Sequence, residues 1–564
     1  MTFLNSAPFW LIVCFLVIAV YVSADGKRKH RAKVLKQLKS SFGKPSGRRY
    51  GEDEYERLTH YYRECAEQSG EGIDDITWND LNMDDIFKQM NIANSSAGQE
   101  YLYRLLRTPA ESPDRLREID SLAEYFAAHE KERIALQQEF VKLGFVKYLS
   151  LSDYIGLMVG MEPGGNGVHI AALIALAAAF VVCFAVNPVI GIGLIVAAVT
   201  FSILTYYKMK AKVEHYFVCI AQIVRMTAVA QAIAQQKNAG LEEYNKKLEE
   251  LCKKFQSVTK NAWLLESGNV NGSLSEMAME YMRMLTHVDL MKFNSMVRHI
   301  GNCQAEVYEL FDTLGLLEAC ISVASYRQML PYWSKPQLLT GSRRKLVIEE
   351  GYHPLIEKPV ANSMHTEKNV LLTGSNASGK STFLRTIAVN AVLSQTIFTS
   401  VSKNYQAPYF RIYSSMSLKD DLGGKNSYYI VEIKALKRIL TAAEQTGCPV
   451  LCFVDEVLRG TNTVERIAAS SEILKYLKDK NVLCFAATHD IELTAILSGC
   501  YDNYHFQEEV TDDDVKFNYR LFTGPAVTRN AIKLLGVIGY NKNIIDAAES
   551  QAGYFIRSGS WKVD

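Results

Sequence analysis

Surplus charge and paired cysteine are both scarce in this 564-residue chain. Its 62 basic residues meet 61 acidic ones, a formal net charge of +1, so the overall balance offers no electrostatic case for a dedicated nucleic-acid binder. The 11 cysteines stand singly and none has the paired spacing of a zinc site. Cys448 and Cys452 flank an apolar run and Cys484 sits inside another, which reads as buried thiols in a reducing compartment.

Long apolar runs, by contrast, are plentiful. The first, at about 7–24, is followed at once by Lys27, Arg28, Lys29, Arg31 and Lys33. A signal peptide carries its basic residues before the apolar core; here they follow it, which is the order of an uncleaved anchor with the rest of the chain cytoplasmic. Two more runs, 170–186 and 189–207, are separated by Asn187-Pro188 and carry no charge. At about 1.5 Å per helical residue, each nearly crosses a hydrocarbon layer of ~30 Å. A hairpin buried in a soluble domain is the alternative, but apolarity all round a helix of this length is rare in water. Lys208, Lys210 and Lys212 close the second run, so both hairpin ends are expected on the cytoplasmic side, giving a multi-pass membrane protein.

The rest divides by texture. Residues 1–25 are expected to be a transmembrane anchor and 26–58 a basic juxtamembrane linker attractive to anionic headgroups. Apolar residues at three- and four-residue spacing, as in DDIFKQMNIANSSAGQEYLYRLLRTP, predict an all-α domain over 59–340, interrupted by the hairpin at 170–207. Within it LEEYNKKLEELCKKF reads as an exposed or coiled-coil arm. From about Lys345 short β-rich runs alternate with helical ones, so 341–564 is expected to be an α/β domain with a parallel sheet.

The chemistry lies in that last part. Gly374-Ser375-Asn376-Ala377-Ser378-Gly379-Lys380-Ser381-Thr382 matches a phosphate-binding loop, with the strand NVLLT before it and a helix after it. Glycines let backbone N–H groups close round phosphates, the lysine reaches the β and γ phosphates, and the hydroxyl of Ser381 meets Mg2+. About seventy-five residues on, the apolar strand LCFV ends in Asp455 and Glu456, one acid to orient the metal and the next to polarise the attacking water. His489 follows another apolar strand, where an imidazole can sense the γ-phosphate. The expected ligand is ATP with Mg2+ and the expected reaction its hydrolysis, with Lys380, Glu456 and His489 as catalytic groups.

These motifs together resemble the MutS family of mismatch-repair ATPases, within the ABC-type superfamily. The likeness begins at Gly351-Tyr-His353-Pro354-Leu and Asn362, where the family has a short motif and an adenine-side contact. It continues through TGSNASGKSTFLRTIA, DDLGGKNSYYIVE, DEVLRGTNT and ATHDIELT, and into the tail NYRLFTGPAVTRNAIKLLGVIGYNKNIIDAAE. The resemblance implies an ABC-type P-loop fold beside a helical core and lever domain, and a homodimer held by the C-terminal helices. It also implies that Ser427 reaches in trans to the partner's ATP. NSSAGQEYLYRLLRTP and LGLLEACISVASYRQMLPYWSKPQL resemble halves of the family's helical core.

The departures bear on function. The family's N-terminal mismatch-reading domain is missing, its place taken by the anchor and linker. The loop has Ser375 and Ala377-Ser378 where the family usually has proline and Met-Gly. The sequence therefore points to a membrane-anchored ATPase with dimer-coupled movement of its helical levers, with DNA a candidate ligand through the resemblance alone. The alternatives are a transporter-like or membrane-protein-regulating ATPase without a DNA role, and a scaffold that keeps ATP as a structural ligand. The hairpin is free of ionisable groups apart from His169 at its edge, which argues against a solute path, and the complete acid pair argues against the scaffold.

Overall fold

The computed structural model describes residues 25–26, 28–70, 72–265, 274–341, 344–375, 378–416, 428–459, 461–510, 515–526 and 531–562. Almost all of the expected anchor at 1–25 lies outside these residues, as do Asn376, Ala377 and Ser427. The chain forms two compact units, one of 1–68, 91–104 and 122–324, the other of 69–90, 105–121 and 325–564.

The first unit is helical. Its apolar hairpin consists of α1 (Gly167–Ala185) and α2 (Pro188–Gln235). Asn187 caps α2 by accepting from Val189 N at 2.9 Å and Ile190 N at 3.2 Å, while Pro188 supplies the preset backbone angle of a first helical turn. A side chain at Gly191 would meet Cys183 Cα at 2.1 Å, so only glycine allows the two helices to approach this closely. Both helices are long and apolar enough to cross a membrane, and their apolar windows are only 17% buried. Val189, Ile192, Val196 and Leu204 accordingly face outward, whereas Ile220, Ile223, Met226 and Ile233 further along α2 are buried. The second helix thus runs on past the apolar stretch into the packed body, because Lys208, Lys210 and Lys212 change its polarity without breaking it.

A buried polar knot ties the hairpin down. His169 and His287 face each other Nδ1 to Nδ1 at 2.9 Å, His287 Nε2 lies 3.0 Å from Ser202 Oγ, and Tyr206 OH donates to Asp289 Oδ2 at 2.9 Å. The charged segment read as an exposed arm is α3 (Glu242–Lys254), and it packs on α2 with Asn245, Leu248 and Leu251 buried. Its charged faces are the solvated side of an ordinary amphipathic helix.

The second unit is α/β. A four-stranded sheet, order β1-β5-β2-β3, joins β1 (Gln337–Leu339), β2 (Leu346–Gly351), β3 (Asn362–Thr366) and β5 (Asn404–Pro408). The main sheet has six strands, β4 (Asn369–Thr373), β6 (Arg411–Ser415), β7 (Val450–Asp455), β8 (Val482–Ala487), β9 (Tyr501–His505) and β12 (Phe522–Thr523), in the order β12-β9-β4-β8-β7-β6. All its pairs are parallel except β12 with β9. Strands buried on both faces must be apolar throughout, which is why β4, β7 and β8 read NVLLT, VLCFVD and VLCFAA. Cys452 and Cys484 are cross-strand partners in that core and both are free thiols. The helices of this unit include α4 (Lys380–Thr396), α5 (Tyr428–Glu444) and α6 (Thr463–Lys478), and the tail forms α7 (Ala531–Ile538) and α8 (Lys542–Ser558).

The upstream segment 69–90 is built into the same unit. Asp80 Oδ2 accepts from Ser414 Oγ at 2.7 Å and from Met416 N at 2.9 Å, and its carbonyl accepts from Arg385 Nε at 2.8 Å. These bonds tie it to the end of β6 and to α4.

Candidate active site

Parallel α/β sheets bind ligands beyond the carboxyl ends of their strands, and the chemistry-bearing residues gather there. The phosphate loop leaves β4 and runs into α4. Gly374 (φ 140°) and Gly379 (φ 111°) adopt backbone angles that side-chain-bearing residues rarely tolerate, and these angles turn the chain back on itself. Lys380 is buried and donates to Gly374 O at 2.8 Å and Ser375 O at 2.7 Å. Burial pushes its pKa down, opposed by the nearby Asp455 and Glu456. Ser378 Oγ donates to Ser375 O at 2.8 Å, steadying the turn.

Asp455 ends β7 and accepts a short hydrogen bond from Ser381 Oγ. Burial raises the pKa of this carboxyl, with the Ser381 bond acting the other way. Glu456 follows in a left-handed conformation, φ 59°, and Leu458 shares it at 57°. Non-glycine residues held there are strained, a cost usually met at functional positions. The strain turns the Glu456 carboxylate towards His489, which stands beyond β8 and donates from Nε2 to Oε1 at 3.0 Å. The same Nε2 is 3.5 Å from Lys380 Nζ. Arg459 pairs with the other Glu456 oxygen. The His489 hydrogen bond, then the Arg459 charge, hold the Glu456 pKa below the usual carboxylate range. The carboxylate is therefore ionised at neutral pH and able to accept a proton or orient a water.

Beside the loop lies a cavity of about 310 Å³, lined by His353, Asn362, Thr382, Phe383, Phe506 and Tyr519 among others. Asn362 is fixed by accepting from Leu521 N at 2.8 Å and donating to Tyr519 O at 3.0 Å. His353 is buried with Nε2 unpartnered among the described atoms. The residues suit a magnesium nucleotide. The orphaned imidazole nitrogen and aromatic walls match a purine, and the Ser381 and Asp455 oxygens match a hard cation.

The sequence motifs contain His353, Asn362, Thr382, Lys380, Ser381, Asp455 and Glu456, and the fold brings all of them to this one place along with His489. Phe506 was not legible, lying in no motif more than a hundred residues from the loop; Tyr519 falls in the tail segment that begins NYRLFTGP, but nothing in that segment marks it as a wall of the cavity. The pairing of Arg459 with Glu456 was equally invisible, although Arg459 lies in a motif.

Burial and the nearby Arg385 push the His353 pKa from 6.5 down to about 4. Between those values the folded chain binds fewer protons than the unfolded one, so this stability is complete above about pH 6.5 and is lost as pH falls. A shift of this size corresponds to about 3 kcal/mol. His353→Gln should therefore flatten the fall in stability between pH 7 and pH 4, measured by chemical unfolding. Equal pH slopes in variant and wild type would show that His353 is not buried in its neutral form.

Residues 370–555 match the family model for MutS domain V. The chain is 28% identical to the DNA mismatch repair protein MutS of Natronomonas pharaonis over 46% of its own length and 31% of that protein's. It is 30% identical to MutS of Aquifex pyrophilus over 43% of its length and 30% of the relative's. It is also 28% identical to human MutS protein homolog 4, over 49% of the chain and 30% of the relative. The matched part thus spans less than a third of each of these relatives.

Proposed function

We propose that this chain, which belongs to the MutS family through its segment 370–555, is a membrane-anchored ATPase that pairs with a second copy to complete its nucleotide sites. The observation that carries this reading is the convergence of Lys380, Asp455 with Glu456, and His489 at the ends of three neighbouring strands, β4, β7 and β8.

Lys380, released from the carbonyls of Gly374 and Ser375, would neutralise phosphate oxygens. Ser381 and Asp455 would hold Mg2+, and the cavity of His353, Asn362, Phe506 and Tyr519 would take the base. Mg-ATP supplies the phosphoanhydride bond and the charge that offsets its oxygens. Glu456 accepts a hydrogen bond from water and turns its lone pair inward, while His489 holds the carboxylate in that orientation.

Pairing is supported by the tail, where α8 has no buried residue and Ile538, Ile544, Ile556 and Trp561 lie open to solvent. Anchoring is supported by the outward-facing apolar hairpin. DNA comes to this chain as a candidate ligand from the relatives' names, and the balanced charge adds nothing to it.

The pairing is tested by mixing Lys380→Ala chains with Ser427→Ala chains. If Ser427 acts in trans, a mixed dimer carries both lesions in one site and leaves the other intact. ATPase activity should then recover partially over either variant alone. A wild-type rate per subunit that stays constant from dimer to fully monomeric concentrations would refute the shared site.

A further inference from the structure

A carboxylate sits against the phosphate loop. Glu508 opens β10 (Glu508–Val510), which pairs with β11 (Val515–Phe517), and it stands opposite Phe517. Its side chain is 6% exposed and accepts a hydrogen bond of 2.6 Å from Ser375 Oγ, the second residue of the loop. The backbone leading to it is pinned, because Phe506 N donates to Thr373 O at 3.0 Å and a Cβ at Gly374 would meet Phe506 O at 2.4 Å. The Ser375 bond and its buried setting hold Glu508 against the loop. Its charge also reaches the Lys380 ammonium.

The arrangement is unexpected for its place. Backbone amides and a lysine are gathered here to hold phosphate oxygens, yet a fixed negative charge lies beside them. A proline at position 375 could not make this bond, so the serine is what couples the hairpin's carboxylate to the loop. Resting on the reading of this loop as an ATP site, we propose that Glu508 sets discrimination between nucleotides by phosphate charge, weakening the triphosphate more than the diphosphate. The repulsion is Coulombic, so it grows with each phosphate charge.

The test uses the full-length chain in detergent, with Mg2+, and compares the affinity of ADP with that of a non-hydrolysable ATP analogue by displacement of a fluorescent ADP. Glu508→Gln keeps an oxygen to accept from Ser375 and removes only the charge. It should tighten the triphosphate analogue roughly tenfold and ADP by less. An unchanged ratio in Glu508→Gln, with wild type binding nucleotide normally, overturns the role of Glu508 and leaves the ATP reading standing. Folded wild-type and Glu508→Gln chains that both bind no nucleotide overturn the ATP reading and this inference together.

Discussion

Lys380→Ala should lose Mg-ATP binding, and with it turnover, while Glu456→Gln should bind Mg-ATP as wild type does and turn it over at least about a hundredfold more slowly. The two lesions differ because the two side chains meet different charges. Lys380 is a buried cation whose present partners are the carbonyls of Gly374 and Ser375, so its natural exchange is for phosphate oxygens. Without it the loop keeps its amides but loses its only side-chain charge. Glu456 stands instead against His489 and Arg459, and the amide of glutamine can keep a hydrogen bond from His489 but cannot accept a proton from water. His489→Ala should therefore resemble Glu456→Gln, with binding kept and turnover reduced, because Nε2 orients the carboxylate. Equilibrium binding of a fluorescent nucleotide and single-turnover hydrolysis separate the cases. Equal loss of affinity in the lysine and glutamate variants would contradict the separate roles.

What could be read from the sequence follows the range of the interactions involved. The phosphate loop is local chemistry: its glycines, lysine and serine are adjacent, and each residue type has a reason that holds in any fold. Asp455 and Glu456 are legible because a strand buried on both faces is apolar, so two acids at its end stand out. The hairpin shows as uncharged runs, and its turn as Asn187-Pro188. Contacts between distant stretches were not visible. Nothing in the spacing of Asp80 foretells that it accepts from Ser414 and Met416, more than three hundred residues away. Phe506 and Tyr519 join His353 in lining the cavity only because β9 lies beside β4 and β12, just after Tyr519, pairs with β9. The same holds for α3, whose charge pattern suits a solvated face equally well in an isolated arm and in a packed helix. What decided between these was the apolar C-terminal half of α2, an element the local sequence of α3 does not contain.

That long α2 also sets the second large effect. A cysteine placed at Asn187 should react from outside intact cells with an impermeant thiol reagent, while cysteines in the ATPase unit should react only after permeabilisation, all in a cysteine-free background. The helices α1 and the first half of α2 present Val181, Phe184, Val189 and Ile192 outward, and burying such side chains in hydrocarbon gains roughly 1.5–3 kcal/mol each relative to water. The first charged residues after the turn are Lys208, Lys210 and Lys212, which favour the cytoplasmic face, so the turn at Asn187-Pro188 is expected on the far side. Helix length agrees, since α1 alone has 19 residues against the ~20 needed to span. Replacing Ile174 and Val196, which face outward nearer the middle of each apolar run, together with arginine should break the insertion, because each charge at membrane depth costs about 2.5–3.5 kcal/mol. A cysteine at Asn187 in that variant would then react only after permeabilisation. Labelling of ATPase-unit cysteines from outside intact cells would reverse the topology. An Asn187 cysteine that reacts only after permeabilisation would mean that the hairpin does not span, and that its exposed apolar face is covered by protein on the cytoplasmic side.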